Sequence, residues 1–207
     1  MQKNTYDGIL VAIDGPNGVG KSTLITNLEE CLKSKGINVY TTKEPSTSAL
    51  GNFTRQIAET IGNESLACLV AADRYEHLRN EVVPKLQDGC IVIMDRYVLS
   101  SLILQRMDGV ETPFVLDVNQ NILLPDLQFA IIADIDVIQE RLGERATLTR
   151  FEKDNQTNQE LCYLTSGIEE LRKLGIPVIT IENSHSLNEN VQNMMNQILL
   201  YKKEGNV

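Results

Sequence analysis

Apolar residues fall along this chain in two patterns. Four stretches, GILVAID (8–14), CIVIMD (90–95), LQFAIIAD (127–134) and IPVITIE (176–182), are continuous apolar runs. Runs of that kind predict strands buried on both faces, the habit of a parallel sheet covered by helices. INVYTT (37–42) reads as a weaker, half-exposed strand.

Between the runs, apolar residues recur at helical spacing. Leu24, Leu28 and Leu32, with Cys31, mark one face of a helix over about 22–35, with lysines near its C-terminus and Gly36 as its stop. Phe53, Ile57 and Ile61 mark a second helix closed by Gly62. A long helix is predicted over about 64–87, and others over 98–107, 136–143, 156–174 and 187–202. Strands joined by helix-containing crossovers imply an α/β fold: an open, mainly parallel five-stranded sheet wrapped on both sides. Ligands of such sheets bind at the carboxyl ends of the strands. No repeat, low-complexity tract or Pro/Ser-rich linker divides the chain, so residues 1–207 are expected to form one domain.

Composition narrows the function classes. With 42% hydrophobic and 23% charged residues, the chain is not a disordered one. A net charge of −9 argues against nucleic acid polymers or anionic membranes as partners, while leaving room for a local basic pocket. Cys31, Cys68, Cys90 and Cys162 form no C-x-x-C pair and match no zinc spacing, so they read as small apolar residues of a reducing compartment. The opening MQKNTYDG lacks the order of a signal peptide, no run is long enough to span a bilayer, and the cytoplasm is expected. His77 and His185 are too few and too far apart for a histidine metal site or proton relay, and His77 is expected on a helix surface or facing a partner.

The chemistry enters with GPNGVGKST (15–23), directly after the first apolar run. Gly15, Gly20, Lys21 and Ser22 satisfy G-x-x-x-x-G-K-[ST]. Glycines let the backbone curl so that N–H groups point inward at phosphate oxygens, and the following helix adds the positive end of its dipole. The stretch from Gly15 through Asn17, Gly18, Val19 and Gly20 to Thr23 is therefore expected to cradle a nucleoside triphosphate such as ATP. Lys21 would reach the β- and γ-phosphates and Ser22 would ligate Mg²⁺. Asp95, at the end of the third run, is the second expected Mg²⁺ contact, because a carboxylate at the tip of a buried strand is expensive unless something uses it.

Three further segments, AADRYEHL (71–78), DRYVLSSLILQ (95–105) and LPDLQFAIIADIDVIQERL (124–142), resemble the thymidylate kinase family in order and spacing. KEPS (43–46) is similar to that family's Arg-Glu-Pro segment, and RATLTRFE (145–152) to its arginine-bearing lid, expected over about 143–155. The resemblance implies a P-loop kinase that passes the γ-phosphoryl group of ATP to a deoxypyrimidine monophosphate, with dTMP giving dTDP as the leading reaction. It also implies a homodimer packed through helices, the long helix being a candidate. Arg96 matches the arginine that grips the acceptor's 5′-phosphate, which suits a guanidinium fork. Arg74 matches the arginine facing the acceptor base. Arg141, Arg145 and Arg150 lie where the lid closes over the donor phosphates. Because the loop residue before Gly20 is Val19, the catalytic arginines are expected in the lid, namely Arg145 and Arg150, as in bacterial members. Glu44 and Pro45 would put a carboxylate near the acceptor or the metal, and Asp14 aligns with an acidic residue near the acceptor.

The departures gather on the acceptor side. Val70 and Leu104 stand where the family often has aromatic residues against the base and sugar, Asn17 replaces an acidic residue that meets the 3′-hydroxyl, and Thr149 replaces a lid aspartate. Tyr97, Ser100, Ser101 and Gln105 keep a polar edge for a pyrimidine. An alternative acceptor for the same fold (another nucleotide, a nucleoside or a specialised metabolite) follows from those changes. A nucleotide-dependent regulatory module is the third reading, although the chain has no Asn-Lys-x-Asp segment to read guanine.

Overall fold

The computed structural model describes residues 1–152 and 156–204. Five strands, β1 (Ile9–Asp14), β2 (Val39–Lys43), β3 (Ile91–Asp95), β4 (Leu127–Ile132) and β5 (Val178–Glu182), pair in parallel in the order β2-β3-β1-β4-β5. The apolar runs became strands because alternate residues enter two separate cores. Leu10, Ala12, Val92, Met94 and Ala130 face one layer of helices, and Val11, Ile13, Ile93, Phe129 and Ile131 face the other. β5 departs from the expectation of two buried faces. It is an edge strand, and of its residues only Ile181 is buried.

α1 (Lys21–Ser34) follows β1 and packs on α9 (Leu187–Glu204), while α5 (Val98–Met107) follows β3 and packs on α8 (Thr157–Lys173) on the opposite face. The chain thus leaves the neighbouring ends of β1 and β3 in opposite directions, opening a crevice at the carboxyl edge of the sheet. Ile13 pairs with Asp95 there, so the glycine-rich loop and the DRY segment meet.

α2 (Ala49–Ile57) is shorter than expected. It buries Gly51 and Thr54 and leaves Phe53 half exposed, so Phe53 does not mark its inner face. The long helix is three pieces: α3 (Asn63–His77), a π-helical turn (Leu78–Val82) and α4 (Val83–Gln87). Pro84 is the cause: it lacks an N–H and its ring crowds the carbonyl four residues back, and the wider turn, in which Val83 N–H reaches Leu78 O, makes room. α6 (Thr112–Val118) was not foreseen, and α7 (Ile135–Gly143) matches its prediction within a residue. No helix among the described residues is long and apolar enough to cross a membrane.

Candidate active site

The glycine-rich loop leaves β1 at once and turns into α1. Gly18 and Gly20 have φ of +76° and +92°, a conformation that costs an L side chain about 1–2 kcal/mol. A Cβ on Gly20 would also stand 2.6 Å from Asn183 Nδ2, and one on Gly18 2.8 Å from Leu142 Cγ. Lys21 is buried, its Nζ donating to Gly15 O at 2.9 Å and Pro16 O at 2.7 Å. Burial, then the Arg96 charge, lowers its pKa to about 7 against the opposing pull of Asp95, Glu160 and Asp14. A phosphate would restore the ammonium.

Ser22 Oγ is exposed 3.3 Å from Asp95 Oδ2 at the mouth of the crevice. Two hard oxygens so placed fit magnesium, which keeps several waters and takes its other ligands from phosphate. No group of three or more His, Cys, Asp or Glu able to hold a metal exists among the described residues.

Two cavities flank the loop. One, of about 350 Å³, is lined by Gly18, Gly20, Thr23, Arg141, Arg145 and Asn183 among others. Arg141 and Asn183 anchor Val19 O at 3.1 and 2.9 Å, and Arg145 is exposed and paired with Glu152. Asn183 was missed by sequence reasoning. Its signal was its place just beyond the last strand, where the carboxyl ends gather.

The other cavity, of about 260 Å³, brings together Asn17, Glu44, Pro45, Val70, Arg74, Arg96, Tyr97, Ser100, Ser101, Leu104 and Gln105. Arg96 stands between it and the loop. Its φ of +74° is unusual for a residue with a side chain and costs about 1–3 kcal/mol, strain that clusters at functional sites. Backbone N–H of Arg96 bonds Ile13 O at 3.0 Å, while its guanidinium donates to Asn17 Oδ1 at 2.7 Å and Ser100 Oγ at 3.1 Å. Fixed this way, it presents a cation to both the loop and the cavity.

Arg74 is buried at the cavity wall. Nε bonds Glu44 Oε2 at 2.7 Å, Nη1 bonds Asn119 Oδ1 at 2.6 Å and Nη2 bonds Ser101 Oγ at 3.0 Å. Those bonds use three of the five N–H groups of a guanidinium and leave two. Two buried oxygens of the lining residues, Gln105 Oε1 and Thr54 Oγ1, have no hydrogen-bond partner, and Glu44 Oε1 has only the long contact to His77 Nδ1 at 3.6 Å. Unsatisfied buried acceptors are costly, and a ligand carrying N–H or O–H groups would satisfy them.

The structure corrects three expectations. Asp14 is fully buried and lines neither cavity. Its Oδ1 accepts from the backbone N–H of Tyr97 at 2.8 Å and of Ser100 at 2.9 Å, so it anchors the N-terminal turn of α5, where an anion is favoured. His77 is buried rather than on a helix surface: Nε2 meets Thr42 Oγ1 at 2.9 Å and Glu81 Oε1 at 3.2 Å, and Nδ1 lies 3.6 Å from Glu44 Oε1. Burial alone would push its pKa down, but the Glu44 and Glu81 carboxylates hold it above the ordinary value. The third correction is Arg150, whose guanidinium faces not the loop but α5, with Nη1 on Asp108 Oδ1 at 2.6 Å and Nη2 on Asp108 Oδ2 at 2.5 Å. A bidentate carboxylate is a stronger partner than open solvent. Residues 153–155 of the expected lid lie outside the described residues.

Glu160, on α8, was also missed. Its oxygens accept from Asn17 N–H and Asn17 Nδ2, each at 2.7 Å, so one amide side chain bridges a buried carboxylate and Arg96. An acidic residue at position 17 would repel Glu160, which accounts for the asparagine.

A thymidylate kinase family model matches residues 13–195. A probable thymidylate kinase of Archaeoglobus fulgidus is 30% identical over 96% of this chain and all of its own length. Another, of Caldivirga maquilingensis, is 39% identical over 70% of this chain and 73% of its own. A thymidylate kinase of Caldicellulosiruptor saccharolyticus is 32% identical over 84% and 88%. With a phosphate loop, a strained arginine and an acceptor-sized cavity joined at one crevice, and a family match over most of its length, the chain belongs to the thymidylate kinase family.

Proposed function

We propose that this phosphotransferase passes the γ-phosphoryl group of ATP to the 5′-phosphate of dTMP, giving ADP and dTDP. The observation that carries the choice of acceptor is the buried Gln105 Oε1, without a hydrogen-bond partner, in a cavity that Arg74 also lines. A thymine ring offers the complement: an N3–H to donate to Gln105 and a carbonyl to accept from Arg74. Cytosine in the same pose presents the reverse pattern, a bare N3 toward Gln105 Oε1 and an amino group toward Arg74, which can only donate, and rejection of that kind is strong at a buried polar site.

The transfer is in-line and uses no covalent intermediate, so the protein supplies position and charge. Loop amides and Lys21 hold the donor's phosphates. Arg96 holds the acceptor's phosphate against them, its guanidinium set by Asn17 and Ser100. Arg141 and Arg145 lie on the donor side, where positive charge offsets charge that develops in transfer. Ser22 and Asp95 would hold a magnesium ion, which would supply positive charge against the negative charge of the phosphates. Residues 1–207 are read as one such domain. The exposed thiols of Cys68 and Cys162 suit the cytoplasm, and the groove between Ala71, Tyr75, Phe114 and Val118 suits a helix-packed homodimer.

A coupled ADP-release assay across nucleoside monophosphates tests the proposal. dTMP is expected to be the best acceptor, dUMP weaker and dCMP at least a hundredfold poorer. Turnover of some other acceptor with dTMP and dUMP both inert would replace it with the alternative that Val70 and Leu104 suggested.

A further inference from the structure

Two residues of the lid, Thr149 and Phe151, border the acceptor cavity together with Val70 and Leu104. The two cavity residues at the positions expected to stack are aliphatic, so the flat face a base requires must come from elsewhere. Among the described lining residues only Tyr97 and Phe151 are aromatic. The Tyr97 ring is fully buried, its hydroxyl bonds Leu123 O at 2.7 Å, and Arg74 lies over it at 5.2 Å from the centroid. Phe151 is half-buried and remains.

Phe151 is also held in place. Its neighbour Arg150 makes the bidentate pair with Asp108 at the end of α5, donates to Ala58 O through Nε, and donates its backbone N–H to Glu59 Oε2 at 3.3 Å. The same guanidinium covers the Phe151 ring, 4.0 Å from the centroid. These contacts tie the lid to the C-terminal ends of α2 and α5, two of the three helices that border the cavity.

We infer that Phe151 is the residue on which the acceptor's base stacks, held over the cavity by the Arg150–Asp108 latch. It rests on the thymidylate reading above and extends it: the aromatic contact absent at Val70 and Leu104 is supplied by the lid. Acceptor discrimination then depends on lid placement, and the same segment carries Arg145 to the donor cavity.

The chain has no tryptophan, so Phe151→Trp installs a single tryptophan, excitable apart from the six tyrosines, at the proposed contact. Titration of that variant with dTMP alone is expected to quench its emission in a saturable way. In steady-state assays Phe151→Ala is expected to raise KM for dTMP about tenfold or more while KM for ATP moves less than twofold, with Phe151→Tyr close to the parent. Asp108→Asn should shift KM for dTMP in the same direction. A Phe151→Trp emission indifferent to dTMP, in an enzyme that still phosphorylates it, would overturn the stacking role and leave the proposed function standing. Quenching by dTMP without any turnover would uphold the stacking role and remove the proposed function.

Discussion

Asn17 shows how a single residue sets the geometry of the centre. Its amide accepts from Arg96 and donates to Glu160, a division of labour that a carboxylate cannot perform. Burial raises the pKa of Glu160, while the two bonds from Asn17 and then the Arg96 and Lys21 charges pull it down. Asn17→Asp would set two carboxylates against each other, and one must take a proton. A carboxyl whose folded pKa is raised stabilises the fold at low pH and loses that contribution as pH rises. The variant is therefore expected to lose on the order of tenfold in kcat/KM at pH 8, to recover toward pH 6, and to be rescued by Glu160→Gln in a double-mutant cycle. No rescue would show that Glu160 does not act through Asn17. The loop itself was legible in the sequence, because glycine, lysine and serine at fixed spacing have few other uses. Glu160 was not, since nothing local connects it to a loop 143 residues away.

At the level of elements, strands were legible from continuous apolar runs and most helices from their period. The failures have particular causes. α6 is only seven residues long and buries only Val115, too little for periodicity to register. The π-turn was hidden because the sequence around Pro84 keeps a helical apolar pattern on both sides. His77 was misjudged by type, yet it lies on the stripe Ala67, Ala71, Arg74, Leu78 that α3 and its extension turn inward. That stripe yields a prediction. The His77 pKa is raised, so its pairing with Glu44 and Glu81 stabilises the fold fully below about pH 6.5, the ordinary value, and the contribution fades as pH climbs through the raised one. Thermal melts of the parent and His77→Gln should differ by about 2 kcal/mol at pH 6, with the gap narrowing toward pH 9. A gap that widens with pH would mean that His77 is neutral in the folded protein.

Across the whole molecule, a surface of net charge −9 surrounds a crevice furnished with Lys21, Arg96, Arg141 and Arg145. These four cations stand where two phosphorylated ligands would meet, and the divergence of the chain at the ends of β1 and β3 is what brings the two cavities to one point. A switch protein would need only the donor side. The second cavity, with its partnerless oxygens, is the reason to read the molecule as a transferase. The most direct test is the balance of products. With ATP, magnesium and dTMP, phosphorus NMR should show one dTDP for each ADP and no growth of inorganic phosphate. ADP and inorganic phosphate rising together at a rate that dTMP does not change would contradict the account.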